Sequence, residues 1–347
     1  MPALFDTYKI RGLTLRNRIV MAPMCTWMAE LGVASDWHYV HYASRAIGGI
    51  GLEIVEASAV EPRGRIRNKD VGIWGDEHIE PHRRLTEVVK SHGASPSIQL
   101  AHAGRKSETV DDGAGPADSI APSAIQFGPD FALPREMDAG DLATVKQAFV
   151  DAALRAVEAG YESIELHGAH GYLLSQFISS ITNQREDEYG GGIPGRAKYP
   201  AEVVAAVREA IPQDMPLLVR VSGQDYVESG NTAEDVGAVS RLLGDAGADM
   251  IHVSSAGITP DMLPIRSVFP GYQITLAETI GRESGLPTIA VGRITEPLLA
   301  EEVIRNERAD LVALGRVLLR EPYWPLRAAH ELGVEVDWPP SYIQGGF

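Results

Sequence analysis

The chain has 347 residues, of which 44% are hydrophobic and 22% are charged, enough for one large α/β domain or two smaller ones. A formal net charge of −16, with no Lys/Arg run, argues against a nucleic-acid or anionic-membrane partner and points to a small molecule. A single cysteine, Cys25, excludes an internal disulfide, a four-cysteine zinc site and an iron–sulfur cluster held within this chain.

The N-terminal stretch MPALFDTYKIRG lacks the basic start and apolar core of a signal peptide. No run of about 18 apolar residues, the length needed to cross a bilayer, occurs in the chain. We therefore expect a cytoplasmic protein.

Short apolar runs rich in Val, Ile and Ala alternate with longer amphipathic segments, which is typical of β/α alternation. Eight of these runs are predicted strands: 18–24, 51–60, 96–104, 163–170, 216–223, 250–257, 288–293 and 311–316. Intervening segments such as 141–160 and 232–248 have the acidic or Thr starts and Gly stops of helices. Eight such units predict an α/β fold of the (β/α)8 TIM-barrel type.

No Pro/Ser linker or charge block divides the chain, so residues 1–347 are predicted to form a single barrel domain. An N-terminal segment precedes the first strand, and a C-terminal tail covers residues 333–347. The Gly/Pro-rich segment 107–135 is predicted to be a surface insertion near the third strand.

In such a barrel the carboxyl-terminal ends of the strands surround the active site. The polar or reactive residues at these ends are Cys25, Gln99, His102, His167, His170, Arg220, Arg293 and Arg316. The last two endings, VGRIT and LGRVLL, place Gly beside polar residues where barrels commonly bind phosphate through backbone N–H groups. A phosphorylated ligand or cofactor is therefore expected.

Each of these residues can also have an ordinary structural role. Strand arginines often pair with barrel carboxylates, and a histidine at a strand end is more often a hydrogen-bonded core residue than a catalyst. His167 and His170 could bind zinc if a third ligand joined them, but the sequence offers no obvious one. From these residues alone, another phosphate-binding barrel enzyme, such as an aldolase or isomerase, also fits, because fold does not determine function.

Six blocks follow one another along nearly the whole chain: NRIVMAPMC, DWHYVHYASRAIGGIGLEIVEASAVEPRGRI, IQLAHAGRK, ELHGAHGYLLSQFISSITNQREDEYGG, VFPGYQ and ADLVALGR. In this order they resemble the Old Yellow Enzyme family of flavin-dependent ene-reductases, and most closely its bacterial thermophilic-like subclass. The resemblance implies a TIM barrel that holds FMN non-covalently and takes NADPH or NADH as reductant. Purified protein without a yellow flavin spectrum would instead favour the aldolase or isomerase interpretation.

The resemblance also assigns cofactor contacts. The residues that would lie along the isoalloxazine ring are Ala22, Pro23, Met24, Cys25 and Ala57, with Cys25 tuning the flavin potential. Gln99 would bind the pyrimidine edge, and Arg220 would lie near N1 and the C2 carbonyl, where a cation favours the anionic reduced flavin. The residues that would hold the phosphate are Gly292, Arg293, Gly315 and Arg316.

By the same resemblance, His167 and His170 would bind substrate and donate hydrogen bonds to the carbonyl or nitro oxygen of an activated alkene. Tyr172 would protonate the α-carbon while flavin N5 delivers hydride to the β-carbon. The cycle would be ping-pong, with the nicotinamide reducing FMN at the same site first. The expected substrates are enones, enals, maleimides and nitroalkenes, no metal is expected, and the expected assembly is a homodimer or homotetramer.

The chain departs from the subclass at three places. Trp27 stands where a Tyr is common, which predicts a narrower substrate pocket there. Gln344 stands where an arginine often reaches a neighbouring subunit, which argues against that cationic contact. The stretch 190–200 also differs and predicts a remodelled loop.

Two other functions of a flavin-binding barrel fit the sequence less well. A dienoyl-CoA reductase relative would need an iron–sulfur cluster that one cysteine cannot ligate. A non-catalytic flavin binder would not need a proton donor such as Tyr172 beside both histidines.

Overall fold

The computed structural model of the chain describes residues 3–114, 118–260 and 268–346. Eight parallel strands close into a barrel, so the predicted (β/α)8 TIM barrel is confirmed. Around the barrel these are β3 (Ile19–Met21), β4 (Leu52–Ala59), β5 (Ser95–Ala101), β8 (Ser163–Gly168), β9 (Leu217–Ser222), β10 (Met250–Ser254), β11 (Thr288–Ala290) and β12 (Leu311–Leu314). Two strand pairs outside the barrel are β1 (Tyr8–Ile10) with β2 (Leu13–Leu15) and β6 (Ile120–Ala121) with β7 (Arg135–Glu136).

Each predicted strand region contains one barrel strand, but several strands are shorter than predicted. β11 ends at Ala290, although the predicted strand extends to residue 293. The chain leaves the extended conformation there because Gly292 and Arg293 both have positive φ, at 133° and 52°. Residues 291–293, which were predicted to belong to the strand, instead form the loop at the mouth of the barrel.

The described helices surround the barrel. They are α1 (Asp36–Ile47), α2 (Ile79–Ser91), α3 (Ala139–Glu158), α4 (Leu173–Ile178), α5 (Ile193–Ala210), α6 (Ala233–Asp245), α7 (Ile274–Ser284), α8 (Pro297–Arg305), α9 (Arg316–Arg320) and α10 (Trp324–Glu331). The described 3-10 turns are Ala3–Phe5, Pro62–Gly64, Asp76–His78, Gly104–Lys106 and Pro340–Gly345. Across the described ranges, no helix combines the length and apolarity that a bilayer span requires.

The two helices predicted at 141–160 and 232–248 are α3 and α6. Each begins at a side-chain cap. Thr232 is the predicted start of α6 and accepts a hydrogen bond from the backbone N–H of Asp235 at 3.3 Å, whereas α3 begins before the predicted Asp141, at Asp138, which accepts from the backbone N–H of Asp141 at 2.9 Å. Such caps satisfy backbone donors that the first helical turn leaves unpaired.

Alternation along the barrel strands separates two apolar layers. On β9, Leu218 faces the barrel interior, whereas Leu217 and Val219 pack against the surrounding helices. Towards the carboxyl ends of the strands, the inward positions become polar. These inward polar residues are Gln99, Glu165, His167, Arg220 and His252.

The hairpin formed by β1 and β2 closes the opposite end of the barrel. Ile10 and Leu15 join the interior cluster that contains Val20 and Leu218. The sequence indicated only a segment before the first strand, because three-residue strands are too short to show a clear alternation.

The segment predicted as a surface insertion, 107–135, is exposed in some places and buried in others. Val110 and Leu133 are exposed, whereas Ile120 and Ala121 of β6 are buried. β6 contacts the 3-10 turn Gly104–Lys106, which follows the third barrel strand, β5. Strands β6 and β7 pair in parallel, with Ile120 opposite Arg135. Residues 115–117 of this segment lie outside the described residues.

Candidate active site

The turn after β8 brings three side chains together that the sequence predicted as neighbours. The rings of His167 and His170 are perpendicular with centroids 5.2 Å apart, and the centroids of His167 and Tyr172 are 4.9 Å apart. His170 and Gly171 have consecutive positive φ values of 59° and 72°. A Cβ on residue 171 would lie 2.1 Å from the carbonyl oxygen of Gly257, so this turn requires glycine.

Lys106 and Ser222 hold this turn in place. The hydroxyl oxygen of Ser222 accepts from the backbone N–H of His170 at 2.8 Å. The ammonium of Lys106 donates to the carbonyl oxygens of His170, at 2.8 Å, and Gly257, at 3.1 Å. It also lies 4.9 Å from the centroid of the Tyr172 ring. Burial lowers the pKa of Lys106 to about 8. Sequence reasoning missed this role, although Lys106 ends the block IQLAHAGRK.

The hydrogen bonds of His167 determine where its proton resides. Its Nδ1 accepts from the backbone N–H of Ala169 at 3.3 Å, so the ring hydrogen is on Nε2. Burial holds the pKa of His167 well below its usual range, so the ring is neutral. Within the described residues Nε2 has no hydrogen-bond partner, and it is available to donate to a bound acceptor.

A chain of side chains contacts the ring of His170. Gln273 donates from Nε2 to the hydroxyl oxygen of Ser254 at 3.2 Å, and that oxygen lies 2.7 Å from Nε2 of His170. The Ser254 hydroxyl has one hydrogen and two lone pairs, and when it donates that hydrogen to Nε2 of His170 the imidazole proton is on Nδ1. Burial keeps the pKa of His170 well below its usual range. Both imidazoles are therefore neutral donors.

Tyr172 is suited to hold a proton rather than to release it into solvent. Burial raises the pKa of its phenol, and the nearby Cys25 adds to the shift. No hydroxyl partner occurs in the part of the chain that the structure describes. The O–H group can therefore approach a bound molecule.

Small apolar residues form a wall beside Tyr172. Cys25 and Tyr172 pack on a cluster that contains Ala57, Ala101 and Ala103. Burial raises the pKa of the Cys25 thiol well above its ordinary value, so Cys25 is a neutral thiol. A wall of this kind suits a flat, largely apolar ligand.

Trp27 lies at the exposed rim next to Cys25. Its side chain is 41% exposed, its φ is 54°, and the guanidinium carbon of Arg67 lies 4.4 Å from its ring centroid. The prediction that Trp27 narrows a substrate pocket stays a prediction.

A cavity of about 280 Å³ opens between the ends of β11, β12 and β3. Eight of the predicted cofactor residues line it: Ala22, Pro23, Met24, Arg220, Gly292, Arg293, Gly315 and Arg316. Its walls also include Ser254, Tyr272 and Gln273, which sequence reasoning did not identify. Cys25, Ala57 and Gln99 lie outside its lining.

The cavity has features of an anion cradle. A Cβ on Gly315 would contact only the sulfur of Met24, at 3.7 Å, so the space above this backbone is open. Arg293 leaves the strand with positive φ and donates to the carbonyl oxygen of Val268. Arg316 begins α9 next to Gly315. Exposed backbone N–H groups and nearby guanidinium groups are the donors that phosphate prefers.

Arg220 and Gln99 lie on inward positions of the barrel. Arg220 is buried, and its Nε has no hydrogen-bond partner among residues 3–114, 118–260 and 268–346. Burial lowers the pKa of Arg220. Gln99 donates from Nε2 to Glu165 at 2.7 Å. An unpartnered buried donor such as Nε of Arg220 is costly unless a ligand satisfies it.

His102, another polar strand ending, has a structural role. Its Nε2 lies 2.7 Å from Glu61, and its Nδ1 accepts from the backbone N–H of Gly104 at 3.0 Å. Both ring nitrogens are engaged, so His102 has no nitrogen available for a ligand. Where the structure describes the chain, it contains no group of three or more His, Cys, Asp or Glu side chains placed to hold a metal ion.

A larger groove, of about 880 Å³, lies away from the strand ends. It is bordered by Asn17, before β3, and by the tail residues Val334 and Trp338. This is the amino-terminal side of the barrel strands, where barrel enzymes do not place their chemistry.

Gln344, in the same tail, is exposed. The stretch 190–200 forms a glycine turn and the first half of α5.

Comparison with known proteins gives consistent results. The family model for the NADH:flavin oxidoreductase / NADH oxidase family matches residues 3–335. The NADPH dehydrogenase of Geobacillus thermodenitrificans (strain NG80-2) is 49% identical over 344 residues, covering 99% of this chain and 98% of that relative. Morphinone reductase in complex with tetrahydroNAD superposes with a TM-score of 0.80 at 26% identity, covering 98% of this chain and 94% of its own. The old yellow enzyme homologue from Zymomonas mobilis has a TM-score of 0.82 at 25% identity, covering 97% and 95%.

Proposed function

The chain belongs to the NADH:flavin oxidoreductase / NADH oxidase family, and we propose that it reduces the activated C=C bonds of enones, enals, maleimides and nitroalkenes. It is an NAD(P)H-dependent flavin oxidoreductase with FMN as its cofactor. The observation that supports the proposal most directly is the turn after β8, where two neutral imidazole donors and a protonated tyrosine meet.

The residues of the barrel mouth fit FMN. Gly292, Gly315 and Arg316 border a cavity whose donors suit the phosphate. The unpartnered Nε of Arg220 suits the oxygen and nitrogen acceptors of the pyrimidine edge. When bound, FMN supplies N5, the atom that exchanges hydride with the nicotinamide and the alkene. Arg220 would favour the additional negative charge of the reduced ring.

The histidines polarise the alkene in this proposal. Nε2–H of His167 and Nδ1–H of His170 donate to the substrate's carbonyl or nitro oxygen, where negative charge develops as hydride arrives at the β-carbon. Because both rings are neutral, they stabilise this charge without protonating the oxygen. Lys106 and Ser222 keep the turn in the conformation that aims both rings.

Tyr172 protonates the substrate at the α-carbon. The phenol keeps its proton at neutral pH because burial raises its pKa, so the proton is present when the α-carbon needs it. Cys25 and Ala57 would pack along the flavin ring, with the Cys25 thiol tuning its potential. Trp27 would border the substrate and limit its bulk.

Two half-reactions measured separately test this function. Under anaerobic conditions NADPH should bleach the yellow flavin, and a following enone, maleimide or nitroalkene should restore the colour. Repeating the first step with NADH establishes which nicotinamide is preferred. A flavin that NADPH reduces but that no activated alkene reoxidises would overturn the proposal and indicate a different electron acceptor.

The assembly and location follow from the same proposal. We propose a homodimer or homotetramer in the cytoplasm, on the basis of the family resemblance. Light scattering on the purified holoenzyme measures the molar mass directly, and a monomer would contradict the proposed assembly.

A further inference from the structure

A polar layer lies inside the barrel below the proposed flavin site. Gln99 on β5, Glu165 on β8 and His252 on β10 are each at most 2% exposed. Their strand neighbours, such as Ile164 and Leu166 beside Glu165, pack in the outer layer, so these three side chains point inward. A carboxylate placed so deeply costs free energy unless specific partners offset the cost.

Glu165 determines which way the amide of Gln99 faces. One carboxylate oxygen of Glu165 accepts from Nε2 of Gln99 and the other lies at Nδ1 of His252, both at 2.7 Å. A carboxylate only accepts hydrogen bonds, so Gln99 must turn its NH2 group to Glu165 and its carbonyl oxygen away from it. The reverse orientation would place two oxygens against each other.

Glu165 also acts on the charge of Arg220. Arg220 pairs in register with His167 on one side and His252 on the other, so it lies in the same part of the barrel. Burial lowers the pKa of Arg220, and the largest opposing influence on that pKa is the negative charge of Glu165. Burial also lowers the pKa of His252, which makes it a neutral hydrogen-bond donor rather than a cation.

We propose that Glu165 is a positioning residue for the flavin. It holds the carbonyl oxygen of Gln99 towards the ring N3–H, and its negative charge limits how strongly Arg220 stabilises the reduced flavin. This inference rests on the proposed function, in which Gln99 and Arg220 contact the pyrimidine edge.

A structural role alone would be that Glu165 ties together β5, β8 and β10. Glu165→Gln separates the two roles because the amide has the same shape as the carboxylate. Its oxygen can still accept from Gln99, and its NH2 group can donate to Nδ1 of His252 once the proton of His252 moves to Nε2. Nε2 has no partner in the described residues that would oppose this change. The substitution therefore removes the charge and keeps the hydrogen bonds.

Glu53 provides a matched control. It is a fully buried carboxyl on β4, and both of its oxygens lack hydrogen-bond partners in the portion of the chain described. It faces the outer layer, whereas its neighbours Leu52 and Ile54 face the interior. Burial raises the pKa of Glu53 well above its usual range, and Glu53→Gln changes a buried carboxyl that lies outside the layer of Glu165.

The decisive measurement is the flavin midpoint potential of the holoenzymes, by anaerobic photoreduction against a reference dye. Glu165→Gln should shift the potential upward, because Arg220 then stabilises the reduced flavin without opposition, whereas Glu53→Gln should match the parent. An unchanged or lower potential in Glu165→Gln, or an equal shift in Glu53→Gln, would overturn the inference.

Glu165→Asp tests the positioning separately. It keeps the charge but shortens the side chain by one methylene, so the potential should remain near that of the parent. The FMN dissociation constant should rise about three- to tenfold, the effect of one misplaced hydrogen bond. An unchanged dissociation constant would remove the positioning role. Alkene reduction by the parent enzyme tests the proposed function independently: if it is absent while the potential shifts as expected, only the proposed activity fails.

Discussion

The two sides of the barrel mouth use different parts of the chain for recognition. On the side of β11 and β12, Gly292 and Gly315 border the cavity, and the proposed phosphate contacts there are backbone N–H groups and guanidinium groups. On the side of β8, His167, His170 and Tyr172 act through side chains whose proton positions depend on neighbouring hydrogen bonds. A phosphate needs only donors and positive charge, whereas hydride acceptance by an alkene needs donors and an acid in defined protonation states.

The largest expected effect concerns the acid on the β8 side. Tyr172→Phe keeps the ring and removes the proton, so enone reduction should fall by ~10²–10⁴-fold, the usual contribution of a general acid. Reduction of FMN by NADPH, which takes no proton from Tyr172, should keep nearly the parent rate. A nitroalkene should lose much less, because a nitronate can form before protonation.

Single-turnover oxidation of the prereduced Tyr172→Phe variant measures these rates. Equal losses for the enone and the nitroalkene would show that Tyr172 positions the substrate and that another group delivers the proton.

The next largest effect concerns the imidazole donors. His167→Ala removes the Nε2–H donor and should slow enone and nitroalkene reduction alike, by roughly 10²–10³-fold. The comparison with Tyr172→Phe is informative because only the histidine variant should affect both substrates equally. Rapid-mixing rates with both alkenes check this, and a loss confined to the enone would contradict the assigned role of His167.

A smaller effect, on FMN binding and on the flavin potential, is expected from a substitution of Arg220, which lies between the two sides. Arg220→Ala removes a buried cation and should weaken FMN binding by about ten- to a hundredfold, the range for a hydrogen bond to a charged group. It should also lower the flavin midpoint potential, since the reduced ring loses its cation. Fluorescence titration and a potential measurement check the two expectations. An unchanged potential would separate Arg220 from the flavin.

The phosphate side should show a difference between two ligands. Arg316→Ala should weaken FMN binding by about tenfold, as expected for loss of one charge-assisted contact. Riboflavin, which has the same ring and no phosphate, should bind the variant and the parent equally. Titration of the apoprotein with each ligand measures the difference, and equal losses for both would place Arg316 away from the phosphate.

The smallest effect is expected at the rim. Trp27→Ala should raise the rate with bulky cyclic enones by a few-fold and leave small enones unchanged, because enlarging an apolar pocket relaxes its size limit by about 1 kcal/mol. Trp37→Ala, which removes a similarly exposed tryptophan from α1, is the control and should change neither rate. Equal rates of Trp27→Ala and the parent with large enones would show that Trp27 does not border the substrate.

The sequence by itself determined the barrel and the members of the β8 turn. Eight apolar runs ended in polar residues, and strand ends in a parallel barrel must meet at one mouth. His167, His170 and Tyr172 are close in sequence, so one turn was enough to bring their rings together. Gly292 and Gly315 could be predicted as phosphate-site candidates, because a glycine at a strand end leaves its backbone N–H accessible to a ligand.

Only the tertiary structure decided the hydrogen-bond partners and the pKa values of those side chains. Ser254, the hydroxyl partner of His170, lies 84 residues away in sequence, and Glu165, the hydrogen-bond acceptor of Gln99, lies 66 residues away. The buried amines and carboxyls acquire shifted pKa values from burial, which depends on the whole packed chain. The order of residues along the sequence predicts which side chains share a turn or one face of a strand. A hydrogen-bond partner from a distant strand is determined by barrel closure, so the donors, acceptors and charges of this site follow from the fold.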